Sequence, residues 1–155
     1  MSSYTAIIRW TRKGEGDFSK GRYSRAHEWE FDGGVKVAAS PSPQIVPAPW
    51  SDASGVDPEE AFVASLSSCH MLFFVDFARR GGFVLDQYVD EAEGILEKSS
   101  DGRLAMTRVT LHPRLIWSGE PPDDAFIADL HHRAHEACFI ANSVTTDVRV
   151  ETEAS

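Results

Sequence analysis

Residues 57–82 read DPEEAFVASLSSCHMLFFVDFARRGG, and this stretch decides the fold. Asp57 is a good N-cap residue, and Glu60, three positions later, completes a capping box. The helical pattern continues to Arg80 and ends at Gly81-Gly82, because glycine favours the left-handed conformation that closes a helix. The stretch therefore predicts one long helix near the middle of the chain.

This helix is apolar on most of its circumference. One face carries a series of residues at a spacing of three to four, and the opposite side is also largely apolar, as in Phe62, Leu66, Cys69, Phe73 and Phe77. Because one small sheet cannot cover such a helix, the pattern predicts burial on most sides. A second copy of the chain, in an intertwined homodimer, would supply the second covering surface.

Short alternating segments flank the helix and predict strands. Runs of strands separated by helices favour an α+β fold with antiparallel sheets. A chain of 155 residues fits a single domain, 1–155. The expected strands are 4–10, two strands within 24–39 around the turn Asp32-Gly33-Gly34, 88–98, 104–117 and 144–150, with a second helix over 124–136.

Charge and hydropathy exclude several classes of protein. The formal net charge of −9 disfavours nucleic-acid binding, since an acidic surface repels phosphates. The N-terminus lacks the pattern of a secretory signal. The most apolar stretch, 61–78, contains three serines, a histidine and an aspartate, which suit a helix buried in protein better than one in lipid. We expect a cytoplasmic protein with no membrane partner.

The chain has two cysteines, Cys69 and Cys138. A cytosolic protein seldom uses a disulfide as a structural staple, so they are either two unrelated buried thiols or a reactive pair. A reactive cysteine must be a thiolate, which an apolar interior disfavours, so a positive group has to stand beside it. Arginine suits that role because it stays protonated, and a carboxylate would then hold the arginine in place.

Two segments carry a resemblance to a known family. DPEEAFVASLSSCHMLFF, in which Cys69 follows Glu59 by ten residues, and the later HEACFIANSV around Cys138 resemble the two cysteine segments of the OsmC/Ohr thiol-dependent peroxidases. The similarity covers nearly the whole chain, from about Tyr4 to Glu151. It implies the OsmC-like α+β fold, with antiparallel sheets around a long central helix in an intertwined homodimer.

The resemblance also assigns roles to residues. Cys69 would be the peroxidatic cysteine, and Cys138 the resolving cysteine that forms a disulfide with it. Glu59 matches the glutamate that orients the family's arginine. That arginine falls in the loop before the second strand, at Arg25 with Arg22 as the alternative.

The implied activity is reduction of organic hydroperoxides, and of hydrogen peroxide as well, to alcohols or water in defence against oxidative and osmotic stress. An external dithiol, such as a lipoylated protein, would reduce the disulfide, and no cofactor or metal is required. Ten helical residues span about 15 Å, so Glu59 cannot touch Cys69 along one straight helix. Either the arginine bridges part of the distance or a second subunit contributes.

Departures from the family pattern indicate a divergent branch. His70 follows Cys69 where many members have an aromatic or apolar residue, and Asp57 replaces asparagine before the proline. His70 either tunes the thiol, binds metal or is a core histidine with a satisfied hydrogen bond.

Two other functions remain open at this point. His131, His135 and Cys138 share a helical face and, with Cys69 or His70, would make a four-ligand zinc site. The chain could also keep the fold as a non-catalytic stress protein.

Overall fold

The computed structural model describes residues 1–153. The chain divides into two compact units, Met1–Ala61 and the part from Phe62 onward, and the division falls inside the central helix. The prediction of one domain over 1–155 includes two residues, 154 and 155, that lie outside the described part. The two units are described separately below.

The first unit contains a three-stranded antiparallel sheet. Its strands are β1 (Ala6–Arg9), β2 (His27–Phe31) and β3 (Lys36–Ala39), in the order β1-β2-β3. The β2–β3 hairpin turns at the predicted place, where Gly34 has a φ of 85° and donates to the Phe31 carbonyl. A 3-10 turn at Phe18–Lys20 lies in the long connection between β1 and β2.

The predicted capping box opens the central helix, α1 (Pro58–Arg80). The Glu60 backbone N–H donates to the Asp57 carboxylate at 2.7 Å, and the Asp57 N–H donates to the Glu60 carboxylate at 3.1 Å. The helix ends before Gly81-Gly82, as expected, with Gly82 at a φ of 83°. Both ends of α1 were therefore predicted correctly from the local sequence.

Burial of α1 differs from the expectation. In the single chain only one stripe is buried, formed by Leu66, His70, Phe74 and Ala78, while Leu72 is 63% exposed. The reason is that, in the single chain, the packing elements of the second unit cover only one side of the helix. By length and composition alone α1 could cross a membrane, a property that it shares with the core helices of soluble proteins.

The second unit has four strands after α1 where the sequence analysis expected two. They are followed by α2 (Asp124–Ala137), close to its predicted bounds, and by a last strand. Each expected strand is broken in the middle, at Glu91-Ala92 and at His112, so that its halves join different sheets. The strands are β4 (Val84–Asp90), β5 (Glu93–Lys98), β6 (Leu104–Leu111), β7 (Pro113–Ser118) and β8 (Asp147–Val150).

Two sheets result, β4-β7 and β5-β6-β8. The β4–β7 and β5–β6 pairs are antiparallel, as expected, and β8 is added to β6 as a parallel strand. A parallel pair needs a long crossover, and α2 lies in the connection that supplies it. The α+β class itself is confirmed.

Two clusters of buried residues form the core of this unit. One joins α1 to α2 through Phe74, Ala78, Leu130 and Ala134. The other joins α1 to the β5-β6-β8 sheet through Leu66, Val109 and Leu111. The α1–α2 contact is the one that positions the cysteines.

Candidate active site

The structure brings the two cysteines together where α1 packs near the end of α2. Cys69 lies in the middle of α1 and is half-buried, whereas Cys138 is the C-cap residue of α2 and is only 1% exposed. The Cys69 side chain is near enough to raise the pKa of the Cys138 thiol. Two residues that are remote in sequence are therefore neighbours in space.

Burial is the main cause of the raised pKa of Cys138, and the Cys69 side chain adds to it. That direction is expected when the Cys138 thiol donates a hydrogen bond to the Cys69 sulfur, because the bond stabilises the protonated form. The backbone N–H of Ala141 donates to the Cys138 sulfur at 3.4 Å and acts in the opposite direction. At neutral pH Cys138 is therefore a thiol, and Cys69 is the neighbouring side chain that helps to keep it protonated.

Aromatic rings lie beside both cysteines. Phe73, one turn after Cys69 on α1, makes an edge-to-face contact with Phe139, the residue after Cys138, with ring centroids 5.0 Å apart. Phe139 is largely exposed. The thiol pair thus lies at an apolar site that reaches the surface of this unit.

A buried pair of histidines lies in the same helix–helix contact. His70 Nε2 and His131 Nδ1 are 3.0 Å apart, and the two rings stack with their centroids 5.3 Å apart. They are 1% and 5% exposed, and burial lowers the pKa of each to about 4. Both imidazoles are therefore neutral at pH 7.

The zinc alternative finds no support in this arrangement. Within residues 1–153 no group of three or more His, Cys, Asp and Glu side chains is placed to hold a metal ion. His131, expected to share a ligand face with His135 and Cys138, instead forms a hydrogen bond with His70.

Arg25 and Glu59 line one cavity of about 520 Å³ in the first unit. Its walls are mainly apolar and aromatic, with a few polar groups among them. The apolar lining includes Ile8, Trp10, Phe18, Tyr23 and Ile45, and the charged or polar lining includes Arg25, His27 and Glu59. A mainly apolar cavity with a small number of polar groups in its lining is the usual form of a small-molecule site.

Hydrogen bonds hold the backbone of Arg25 on both sides. Its N–H donates to the Trp50 carbonyl at 3.0 Å, and its carbonyl lies 2.8 Å from His27 Nδ1. The Trp29 indole N–H donates to His27 Nε2 at 3.0 Å, so Nδ1 carries the proton and donates to Arg25. Long loop 40–56 and strand β2 thus position Arg25 jointly.

The Arg25 guanidinium is held within the cavity wall. It donates to the carbonyls of Tyr23 at 3.0 Å and Gly21 at 3.3 Å, and it lies 4.0 Å from the centroid of the Tyr23 ring. These contacts orient it, whereas the resemblance assigned that role to Glu59. Arg22, the alternative candidate, is exposed and does not line the cavity.

Sequence reasoning missed three residues that shape these sites. Tyr23 and His27 flank Arg25 in GRYSRAHEW, and that proximity was the available signal. His131 was noticed only as a metal ligand, because its partner His70 lies 61 residues away and only packing reveals the pair. The aromatic residues of the cavity wall all lie in the segment that follows β1.

Comparison with known proteins decides the family. A model of the family described as OsmC-like protein matches residues 51–153. The chain belongs to the OsmC-like family. The resemblance inferred from the two cysteine segments is therefore confirmed. No curated protein matches the sequence.

Solved structures of several similar proteins share the fold. An OsmC-like protein of unknown function from Vibrio cholerae is 50% identical, with a TM-score of 0.96 over 99% of this chain and 100% of that one. An organic hydroperoxide resistance protein from Bacillus subtilis is 24% identical, with a TM-score of 0.64 over 97% and 98% of the two chains. One from Legionella pneumophila is 18% identical, with a TM-score of 0.71 over 99% and 100%.

Proposed function

We propose that this OsmC-like protein is a thiol-dependent peroxidase that reduces organic hydroperoxides to alcohols in defence against oxidative stress. The observation that carries the proposal is the pairing of Cys69 with a buried Cys138 thiol whose pKa is raised. A nucleophile beside a protonated partner thiol is the arrangement that a two-step, two-cysteine reaction needs. Membership of the OsmC-like family supports the same conclusion.

The reaction begins at Cys69. Its thiolate attacks the distal oxygen of ROOH, the O–O bond breaks, and the alkoxide leaves and takes up a proton to become ROH. Cys69 is then a sulfenic acid. Cys138 attacks that sulfur, and a disulfide and water form. An external dithiol, such as a lipoylated protein, reduces the disulfide and restores both thiols.

Arg25 and its cavity serve the peroxide. The guanidinium stays charged and offers several donors to the oxygens of the peroxide and to the thiolate. The rings of Trp10, Phe18 and Tyr23 receive the apolar body of the substrate. A cavity of about 520 Å³ suits a hydroperoxide with a sizeable organic group better than hydrogen peroxide.

We further propose a cytoplasmic, intertwined homodimer in which the Arg25 cavity of one subunit serves Cys69 of the partner subunit. Two features support it. Glu59, which lines the cavity, and Cys69 are ten residues apart on one helix, about 15 Å along its axis. The apolar residues Leu72 and Val75 on the exposed side of α1 are suited to contact with a second copy.

Mass spectrometry of the oxidised protein tests the proposal. After one equivalent of cumene hydroperoxide, the wild-type protein is expected to lose two hydrogens and to have both thiols blocked against alkylation. Cys138→Ser is expected to stop at a sulfenic acid that dimedone traps, and Cys69→Ser to consume no peroxide. Ser68→Ala, an exposed neighbour on α1, is the matched control. Peroxide consumption by Cys69→Ser at the wild-type rate would remove Cys69 as the nucleophile, and a wild-type rate no higher than that of buffer would support the non-catalytic alternative.

A further inference from the structure

The two residues of the cysteine pair differ in their access to solvent. Cys138 is a core residue that is only 1% exposed, whereas Cys69 on α1 is half-buried. A disulfide between them would therefore have one sulfur enclosed by the protein and one sulfur nearer to its surface. An external dithiol attacks one sulfur of a disulfide, and the sulfur that it attacks decides which mixed disulfide forms.

The segment that follows α2 folds back around Cys138. The Ala141 N–H donates to the Cys138 sulfur at 3.4 Å, and the Asn142 N–H donates to the Cys138 carbonyl at 3.0 Å. The Asn142 side chain also donates to the Glu136 carbonyl at 3.1 Å, which ties this segment to the last turn of the helix. The enclosure of Cys138 is therefore fixed by hydrogen bonds and not by loose contacts alone.

Thiol–disulfide exchange needs a direct approach to the attacked sulfur. The attacking thiolate comes in from the side opposite to the leaving sulfur, so access to that side controls the rate. At 1% exposure Cys138 is open to a reagent on no side, whereas part of Cys69 is open. Access therefore favours attack on Cys69, with Cys138 as the sulfur that leaves.

Reactivity alone would favour the opposite choice. Burial raises the pKa of the Cys138 thiol, and a thiol with a raised pKa leaves a disulfide slowly. However, the rate of exchange follows the pKa of a thiol only in part, whereas an enclosed sulfur reacts only after the surrounding core has opened. Access therefore outweighs the leaving-group effect in the folded protein.

The state of the expelled Cys138 makes attack on Cys69 productive. Because the pKa of Cys138 is raised, it takes up a proton at neutral pH, and a thiol is a poor nucleophile. Cys138 therefore returns to the mixed disulfide slowly. The second thiol of the reductant has time to attack before the disulfide of the protein forms again.

We propose that an external dithiol attacks the Cys69 sulfur of the oxidised protein, so that the mixed disulfide joins the reductant to Cys69 and Cys138 is expelled. This inference rests on the proposed peroxidase function. The reductant thiolate forms an S–S bond with Cys69 while the Cys69–Cys138 bond breaks, and Cys138 takes up a proton. The second reductant thiol loses its proton and attacks the reductant sulfur of the mixed disulfide, which releases Cys69. The dithiol is oxidised to a disulfide, and both cysteines are reduced.

Single-cysteine variants measure access without any peroxide. Cys138→Ser leaves Cys69 as the one thiol, and Cys69→Ser leaves Cys138. In the folded proteins at pH 7, Cys69 is expected to react with the aromatic disulfide DTNB at least about tenfold faster than Cys138. In concentrated urea the two variants should react at similar rates, which is the matched control for the effect of the fold. A folded Cys69→Ser variant that reacts as fast as folded Cys138→Ser would overturn the proposal.

The wild-type protein shows the point of attack directly. Its disulfide is prepared with diamide, treated with the monothiol N-acetylcysteine, quenched in acid and mapped by peptide mass spectrometry. N-acetylcysteine is expected on the Cys69 peptide in at least about nine of ten trapped molecules, because a monothiol stops at the mixed disulfide. The same disulfide trapped in urea should carry the label on both cysteines. A majority of label on Cys138 in the folded protein would overturn the inference.

The two proposals fail separately because diamide replaces the peroxide in this measurement. Label mainly on Cys69, together with no consumption of cumene hydroperoxide, would overturn the peroxidase function while the point of attack on the disulfide stood. Consumption of the peroxide, together with label mainly on Cys138, would overturn this inference alone. Failure of diamide to form any disulfide between the two cysteines would overturn both proposals.

Discussion

Arg25 and the His70–His131 pair are both polar groups in mainly apolar surroundings, but they differ in how completely their polar atoms are hydrogen-bonded. Around Arg25, backbone and side-chain groups are paired: its N–H with Trp50, its carbonyl with His27, and its guanidinium with two carbonyls. Around His70, nitrogen atoms at both ends of the pair lack a partner among residues 1–153.

The difference separates a cation that is held in place from a buried pair that lacks part of its hydrogen bonding. A cation that must stay in one place and one charge state gains from a complete set of hydrogen bonds. A buried nitrogen without a hydrogen-bond partner instead costs about 1–3 kcal/mol of folding free energy. The first arrangement stabilises the fold, whereas the second lowers stability. The following predictions test each side of this contrast.

The largest effect is expected at Arg25. Arg25→Ala should lower kcat/KM for cumene hydroperoxide by about 100-fold, because a preorganised donor to the reacting oxygen is lost. Arg25→Lys should restore only part of the rate, since an ammonium lacks the planar set of donors. The measurement is the steady-state rate with a dithiol reductant.

Arg22→Ala is the matched control, since Arg22 is exposed and lies outside the cavity. If Arg22→Ala lowered kcat/KM and Arg25→Ala left it unchanged, Arg22 would be the arginine that acts on the peroxide. Mixed dimers extend the test: Arg25→Ala chains paired with Cys69→Ser chains should regain one working site if the cavity serves the partner subunit. Inactive mixed dimers would indicate that each chain builds its own site.

Local sequence was sufficient for the features that depend on neighbours in the chain. Asp57 and Glu60 predicted the start of α1 because a capping box needs only four residues. Helix α2 was also predicted from its own segment, 124–136, and the observed helix ends one residue later. The cysteine pair came from the resemblance to a family, since no local rule joins residues 69 positions apart.

Features that depend on packing were missed. Residues 88–98 read as one strand, yet the chain changes sheets at Glu91-Ala92, where no glycine or proline marks the break. The buried stripe of α1 depends on where α2 and the sheets lie, so an apolar circumference could not reveal it. The hydrogen bond from Arg25 to Trp50 spans 25 residues and follows from the path of a proline-rich loop.

Two substitutions compare the contributions of a paired and an unpaired buried hydroxyl to stability. The fully buried Ser40 hydroxyl accepts the Asp52 N–H at 2.8 Å and donates to the Pro41 carbonyl at 3.0 Å. Ser40→Ala should lower the free energy of unfolding by about 1–3 kcal/mol, because it leaves the Asp52 N–H unpaired. Tyr88→Phe removes a buried hydroxyl that has no partner, so it should change the free energy of unfolding by less than about 1 kcal/mol. Urea unfolding monitored by circular dichroism measures both, and a larger loss for Tyr88→Phe would reverse the contrast.

The smallest effect concerns the dependence of stability on pH. Burial lowers the pKa of His70 and His131 to about 4, below the value near 6.5 that they have in the unfolded chain. Between these values the unfolded state binds more protons than the folded state, so stability falls as the pH falls from about 6.5 toward about 4. Carboxylates with a lowered pKa, such as Asp101 at about 2, titrate below the upper part of this window.

Urea unfolding at pH 6.5 and at pH 5 therefore measures how much the histidine pair contributes to the loss of stability between these pH values. His131→Phe should reduce the loss of stability between these two pH values by roughly half, because only His70 of the pair still titrates. His132→Gln should leave that loss unchanged, since His132 is exposed on the same helix. An undiminished loss in His131→Phe would mean that other groups carry the pH dependence, and the unpaired nitrogens of this core would then have no cost that solution measurements can detect.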